Sequence, residues 1–310
     1  MHRHRRADPH RALDLAGAGH PAAAARARRD GGRGVHPGRG RLADGGREPG
    51  GRGGHPAPAV SVDPRQRFTS TVEDYRRYRP DYPPALFDWI ASECGLGPGA
   101  RVLDVGCGTG ISARQLAARG WRVVGLDPNA AMLEAARAEP MDGLEYVLAD
   151  AESPPELGRF DAIVGGQSFH WLDLDRALPR FAELLGGSGR VVAFWNLREP
   201  DDALMRAYEA LLLARCPEYA EVGAEPRAAE VRARVAALDL REAVFPHAQH
   251  LDREGLLGRA WSSSYVKNRV KDADAFDREL HALFDAHRVQ GEAGERVAFV
   301  YRTSALSFAI

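Results

Sequence analysis

The 310-residue chain has almost no lysine: Lys267 and Lys271 stand against forty arginines. Its cysteines number three, Cys94, Cys107 and Cys216, widely spaced and without a Cys-x-x-Cys pair or a flanking histidine. That set argues against a disulfide framework and against zinc, and it fits a reducing compartment. No run of about 18 apolar residues occurs, so no membrane-spanning helix is expected, and the arginine-rich start lacks the apolar stretch of a secretory signal. The cytoplasm is the expected location, with no membrane and no metal in the protein's function.

Aromatic residues are missing before Phe68, and that absence divides the chain. Residues 1–60 hold twelve Arg, thirteen Gly and five acids, a net +7, whereas the remainder holds 30 basic and 38 acidic residues, a net −8. The whole-chain value of −1 therefore describes neither part. Residues 1–62 show no hydrophobic period and too little apolar surface to offset chain entropy, so a disordered arm is expected there, followed by one domain over 63–310. As a nucleic-acid arm it lacks lysine and interleaved aromatics. Arg, Gly, Ala and Pro share GC-rich codons, and a native start near Val60 or Val62 is the expectation.

From Arg101 onward short apolar runs alternate with helical patterns, the mark of an α/β domain with a mostly parallel sheet covered on both faces. Strands are expected at 101–106, 121–127, 144–150, 160–166 and, after a Gly186-Gly187 break, 189–196. Helices are expected over Ile111–Arg119, from Pro128-Asn129 onward, and over Leu174–Leu185. Beyond Asn196 the alternation gives way to amphipathic helices at 201–215, 226–238, 253–262 and 273–287. Strand patterns at 241–251 and 296–308 complete a cap and sheet extension, assigned to 197–295 over a core at 101–196.

The sharpest local signal is VLDVGCGTG, Val102 to Gly110, between a strand and a helix. Glycines let the backbone approach a ligand closely, and the helix start presents free N–H groups. A dinucleotide fingerprint would need its third glycine at Ile111, and glycine comes one place early, at Gly110. No Gly-Lys-Ser/Thr follows, which excludes a P-loop. Asp104 adds a carboxylate beside the loop, which disfavours a pyrophosphate and suits a ligand carrying an ammonium.

In these residues the chain resembles the class I S-adenosylmethionine-dependent methyltransferases, whose first motif has this Asp-x-Gly-x-Gly-x-Gly form. The resemblance implies a Rossmann-like, mostly parallel seven-stranded sheet with a helical cap, and S-adenosylmethionine as cofactor. It places Asp104, Gly106, Cys107, Gly108, Thr109 and Gly110 at the cofactor. It likewise implies that Asp127, with Pro128, grips both ribose hydroxyls, and that Asp150 and Ala151 meet the adenine amino group. Gln167-Ser168-Phe169-His170-Trp171 resembles a segment of a small-molecule subgroup that includes trans-aconitate methyltransferase. The stretch Tyr75–Pro83 and the run Ser262–Tyr265 recur there, the first folding over the cofactor, which implicates Gln167, Tyr78 and Arg79 in binding it.

His170 is the candidate general base, against a packing role beside Trp171. Phe169, Trp171, Trp195, Asn196, Trp261 and Tyr265 are candidates for an acceptor pocket, although large aromatics also serve as core. The Arg76, Arg77 and Arg79 cluster suits an anionic acceptor, the cofactor carboxylate or a solvated helix face. Cys107 has no assignable base and reads as a small loop residue. The expected function is methyl transfer to a small-molecule carboxylate or hydroxyl by in-line displacement. An RNA or protein methyltransferase and a non-catalytic S-adenosylmethionine-binding protein are the alternatives, and the net −8 disfavours RNA. A monomer or homodimer without nucleic acid is expected.

Overall fold

The computed structural model describes residues 72–216, 219–222 and 224–310, and the expected arm over 1–62 lies outside them. Helices α1 (Val72–Tyr78) and α2 (Pro84–Cys94) precede the alternation β1 (Arg101–Val105), α3 (Ile111–Ala117), β2 (Arg122–Asp127), α4 (Ala130–Arg137), β3 (Leu144–Leu148), β4 (Phe160–Gly166), α5 (Leu174–Leu184) and β5 (Leu185–Arg198). There follow α6 (Ala203–Arg215), α7 (Tyr219–Val222), α8 (Ala224–Val235), β6 (Arg241–Leu251), α9 (Arg253–Trp261), α10 (Ser264–Arg269), α11 (Ala273–His287), β7 (Val289–Gly291) and β8 (Gly294–Phe308). Among the described residues no helix is long and apolar enough to cross a membrane.

The strands run in the order β3-β2-β1-β4-β5-β8-β6, parallel from β3 to β5, with β8 antiparallel between β5 and β6. Period-two alternation decides which layer each strand residue meets. Val102, Val164, Val192 and Phe194 face α2, α3 and α4 through Leu86, Ile90, Leu116 and Leu133. Leu103, Val105, Ile163 and Val191 face α5 and α8 through Phe181, Leu184, Val231 and Val235. A further cluster joins α6, α9 and α11 to the outer ends of β6 and β8, with Leu212, Leu256, Phe276 and Phe299 at its centre.

Helix starts follow local signals. Asp202, Asp252 and Asp272 each accept a hydrogen bond from the amide three residues on, and Asn129 accepts two at the head of α4. Each such cap contributes about 1 kcal/mol. One expectation needs correction. The Gly186-Gly187 pair does not precede the fifth strand but lies inside it. Leu185 already pairs with Phe160, and the register then jumps to Arg190 opposite Ala162, so the glycines sit in a bulge. The seven strands of the expected sheet form one path, and the three-residue β7 folds back on β8 beside it.

Phe181 is fully buried between α5 and the sheet, against Phe169 and Trp195, whereas Leu148 on the edge strand is 55% exposed. Phe181→Ala should lower unfolding free energy by about 3–5 kcal/mol, and Leu148→Ala by no more than about 0.5 kcal/mol. Urea denaturation checks both, and equal losses would contradict the assigned core.

Candidate active site

The strand order reverses at β1, with β2 on one side and β4 on the other. Loops leaving the two sides diverge there and open a crevice at the carboxyl ends of the strands. Residues 106–110 turn tightly into α3, and Gly106, Gly108 and Gly110 all have positive φ. The amides of Gly106 and Cys107 both donate to Leu126 O on β2 (2.7 and 3.1 Å), pinning the loop to the neighbouring strand.

Asp127, at the end of β2, completes the hold. Its Oδ2 accepts from Gly108 N and its Oδ1 from Asn129 N, each at 2.8 Å. Burial lifts this carboxyl above its ordinary value, against the pull of those two amide hydrogen bonds. A carboxylate has about four lone-pair sites, so two remain for a ligand.

Over this wall opens a cleft of about 500 Å³, within the range of small-molecule sites. Gly106 and Gly108 form its floor, Asp127 and Pro128 one side, Asp150 and Ala151 the next, and Gln167 and Trp171 the far side. A smaller chamber of about 40 Å³ adjoins it and shares Tyr75, Gly106, Gly108, Gly166 and Gln167 with it. Cys107, Thr109, Arg79 and Asn196 line this chamber. Gln167 is the non-glycine with positive φ (59°) among the described residues, held by its amide to Phe194 O (2.8 Å) and its side chain to Asn196 O (3.2 Å). Such strain marks positions fixed by their surroundings, often at ligand sites.

Other expected site residues lie elsewhere. Asp104 is behind the loop, fully buried, accepting from Ser112 Oγ at 2.6 Å with its Oδ1 unpartnered. It does not line the cleft. Gly110 lies under the Tyr146 phenol, which leaves no room for a Cβ there, and it also stands outside both cavities. Phe169 and Trp195 are fully buried core residues, not pocket walls, because both point between the sheet and α5. Tyr265 and Trp261 pack against the α6, α9 and α11 cluster.

Tyr78 turns away from the cleft as well. Its hydroxyl donates to Glu254 (3.0 Å), and its ring packs so closely on α9 that Gly258 has no space for a side chain. Tyr75, one turn earlier, lines both cavities instead, with Arg79 over its ring at 4.6 Å. The i, i+4 spacing of Tyr75 and Arg79 carries that signal in the sequence. Arg76 pairs with Glu139, just beyond α4, and Arg77 with Glu254 of α9, and α1 packs against both helices. Arg259 of α9, which no motif pointed to, also lines the chamber.

His170 is not placed as a base. Its Nδ1 accepts from Trp195 Nε1 (3.2 Å), it packs against Trp171, and it lines neither cavity. Burial, aided by the Arg227 charge, drives its pKa down to about 3. Cys107 is likewise no nucleophile, since burial holds its thiol well above the ordinary value.

A crevice at the switch point of a parallel sheet, floored by glycines and walled by strand-end acids, defines a nucleotide-type site on a Rossmann-like fold. Comparison with known proteins specifies it further. A family model for the methyltransferase domain matches residues 102–189. Trans-aconitate 2-methyltransferase of Paracidovorax citrulli is 33% identical over 186 residues, covering 57% of this chain and 68% of that protein. An uncharacterized methyltransferase of Mycobacterium bovis is 37% identical over 132 residues, 43% of this chain, and the chain matches 53% of that relative's length. A solved structure from Anaeromyxobacter dehalogenans, assigned as a type II methyltransferase, shares the fold with a TM-score of 0.58 at 24% identity, covering 75% of this chain and 98% of that one. The chain belongs to the S-adenosylmethionine-dependent methyltransferase family.

Burial raises Asp104 from 3.8 to about 7, opposed by the Ser112 hydrogen bond and helped by the Asp127 charge. A carboxyl raised on folding contributes stability that is full below its unfolded value and lost as pH rises through the folded one. Between pH 5 and 8 the native protein should therefore lose stability relative to Asp104→Asn, by on the order of a few kcal/mol. Urea midpoints at both pH values test this, and a pH-independent difference between the two proteins would contradict it.

Proposed function

We propose that this protein transfers a methyl group from S-adenosylmethionine to a small-molecule acceptor, with the cofactor in the cleft and the acceptor's reacting group in the adjoining chamber. The observation that carries this reading is the Asp127 carboxylate, buried in the cleft wall with both oxygens oriented by backbone amides and acceptor capacity remaining. The residues present fit the cofactor. A Cβ at Gly108 would enter open space, so the glycine leaves room for a ligand against the loop. Asp127 would take the vicinal diol of the ribose, and Asp150 and Ala151, which line the same cleft, would meet the base beyond it.

The cofactor, when bound, supplies a methyl group already activated by a sulfonium. What remains for the protein is to hold the acceptor close, aligned and dry. Tyr75 and Gln167 border both cavities and so set where the two ligands meet. The chamber wall carries guanidinium groups, phenols and the Cys107 thiol but no imidazole or carboxylate. With His170 tied to Trp195, the acceptor is one that needs no deprotonation at neutral pH, a carboxylate rather than a hydroxyl. The trans-aconitate methyltransferase relative supports this choice.

Gly108 is the better position for a test: its positive φ adds some backbone strain to any side chain, but the space beside it is open, whereas a side chain at Gly106 would also strike Ser168 Cβ at 2.5 Å. Gly108→Arg should abolish the calorimetric heat of S-adenosylhomocysteine binding while the far-ultraviolet dichroism stays native. Undiminished affinity in the variant would refute the cofactor site.

A further inference from the structure

The helices beyond β5 enclose a cavity that the cofactor site does not use. It holds about 570 Å³, between the end of β5, α6, α7 and the start of α8, and falls within the size range of small-molecule sites. Its lining is mostly apolar, with Leu197, Met205, Ala210, Leu213, Ala220 and Pro226. Leu213, a large apolar side chain, is 44% exposed at its mouth. An apolar wall left open to water is a surface that a ligand can cover.

The polar groups in the wall already answer one another. Arg198 Nη2 donates to Glu209 Oε2 (2.6 Å) and to the Tyr219 hydroxyl, which itself donates to Glu209 (3.1 Å). Arg206 donates to Asp201 O (2.6 Å), and Glu225 pairs with Arg302. The two arginines of the lining stand against Glu199, Glu209 and Glu225, so the cavity has no surplus of positive charge with which to receive an anion. It also reaches the transfer point. Asn196 lines both this cavity and the small chamber, and Gln167, which borders cleft and chamber, donates Nε2 to Asn196 O (3.2 Å). A molecule seated between α6 and α8 therefore has one end beside the residues that border the cofactor cleft.

We infer that this cavity takes the uncharged, apolar body of the methyl acceptor. The inference rests on the function proposed above and adds the other end of the molecule: with a carboxylate at the reacting end, the acceptor is a hydrophobic monocarboxylate. A polycarboxylate would set its further charges against Glu199, Glu209 and Glu225, whereas an alkyl chain or ring buries apolar area against Leu197, Met205 and Leu213.

Calorimetry on the full chain tests the inference. S-adenosylhomocysteine is titrated first; absence of binding by the wild-type protein would overturn the cofactor reading, and the inference with it. In its saturating presence butyrate, hexanoate and octanoate are then compared with tricarballylate and with octanol. Affinity is expected to rise roughly two- to fourfold per added methylene, with tricarballylate weaker than octanoate by about tenfold or more. Ala210 and Leu213 are exposed positions of α6. Ala210→Trp, which fills the mouth, and Leu213→Glu, which adds negative charge there, should each weaken octanoate by roughly tenfold while S-adenosylhomocysteine affinity stays within about twofold. Affinity that does not rise with chain length, tricarballylate binding as tightly as octanoate, or octanoate binding unchanged in both variants would overturn the inference. Octanol binding as tightly as octanoate would support the apolar body and refute the carboxylate end proposed above. Should a variant lose its native dichroism, the chain-length series in the wild-type protein decides.

Discussion

The site depends on one carboxylate. Asp127 joins two pieces of chain that the sheet merely brings near each other: the glycine loop after β1 and the turn from β2 into α4. Hydrogen bonds to a charged acceptor are about twice as strong as neutral ones, and here two amides converge on a group 8% exposed. The cost of that burial is visible in the raised pKa. What the fold gains is a loop whose backbone is already shaped for a ligand, so that little ordering is left for binding to accomplish.

Around this centre the remaining elements have separable tasks. Ser168 donates to Val105 O (2.7 Å) and ties the end of β4 to the end of β1 beneath the loop. The strained Gln167 then stands where the cleft meets the chamber. Helix α1 is held on each flank by exposed ion pairs, which contribute little individually; its position owes more to the Tyr78 ring seated on Gly258. A roof attached in this way brings Tyr75 and Arg79 to the junction and leaves the sheet to carry the cofactor side.

The parts of this arrangement legible in the sequence are those with local causes. The strands β1 to β4 and most helices follow from apolar period and caps, and the extent of β6 follows from its regular alternation from Arg241 to Leu251. The loop at Val102–Gly110 announced a nucleotide-type site through glycine spacing alone. Contacts between distant segments were not legible. Nothing local distinguishes Trp171, which reaches the cleft, from Phe169 two residues before, which is core. Tyr78 and Tyr75 differ only in which neighbour α1 meets. Arg259 sits in an ordinary amphipathic helix, and its place at the chamber wall emerges only when α9 is packed beside α1. The bulge in β5 escaped because paired glycines usually end a strand.

Asp127 fixes the loop through two amides, and in the function proposed above it also takes the cofactor's ribose diol. The most direct measurement is the dissociation constant of S-adenosylhomocysteine against that of its 2′-deoxy and 3′-deoxy analogues, for the native protein and for Asp127→Ala. The native protein should lose roughly tenfold for each missing hydroxyl, and the variant, weaker throughout, should bind all three alike. Equal binding of the three ligands by the native protein, or undiminished discrimination by the variant, would contradict it.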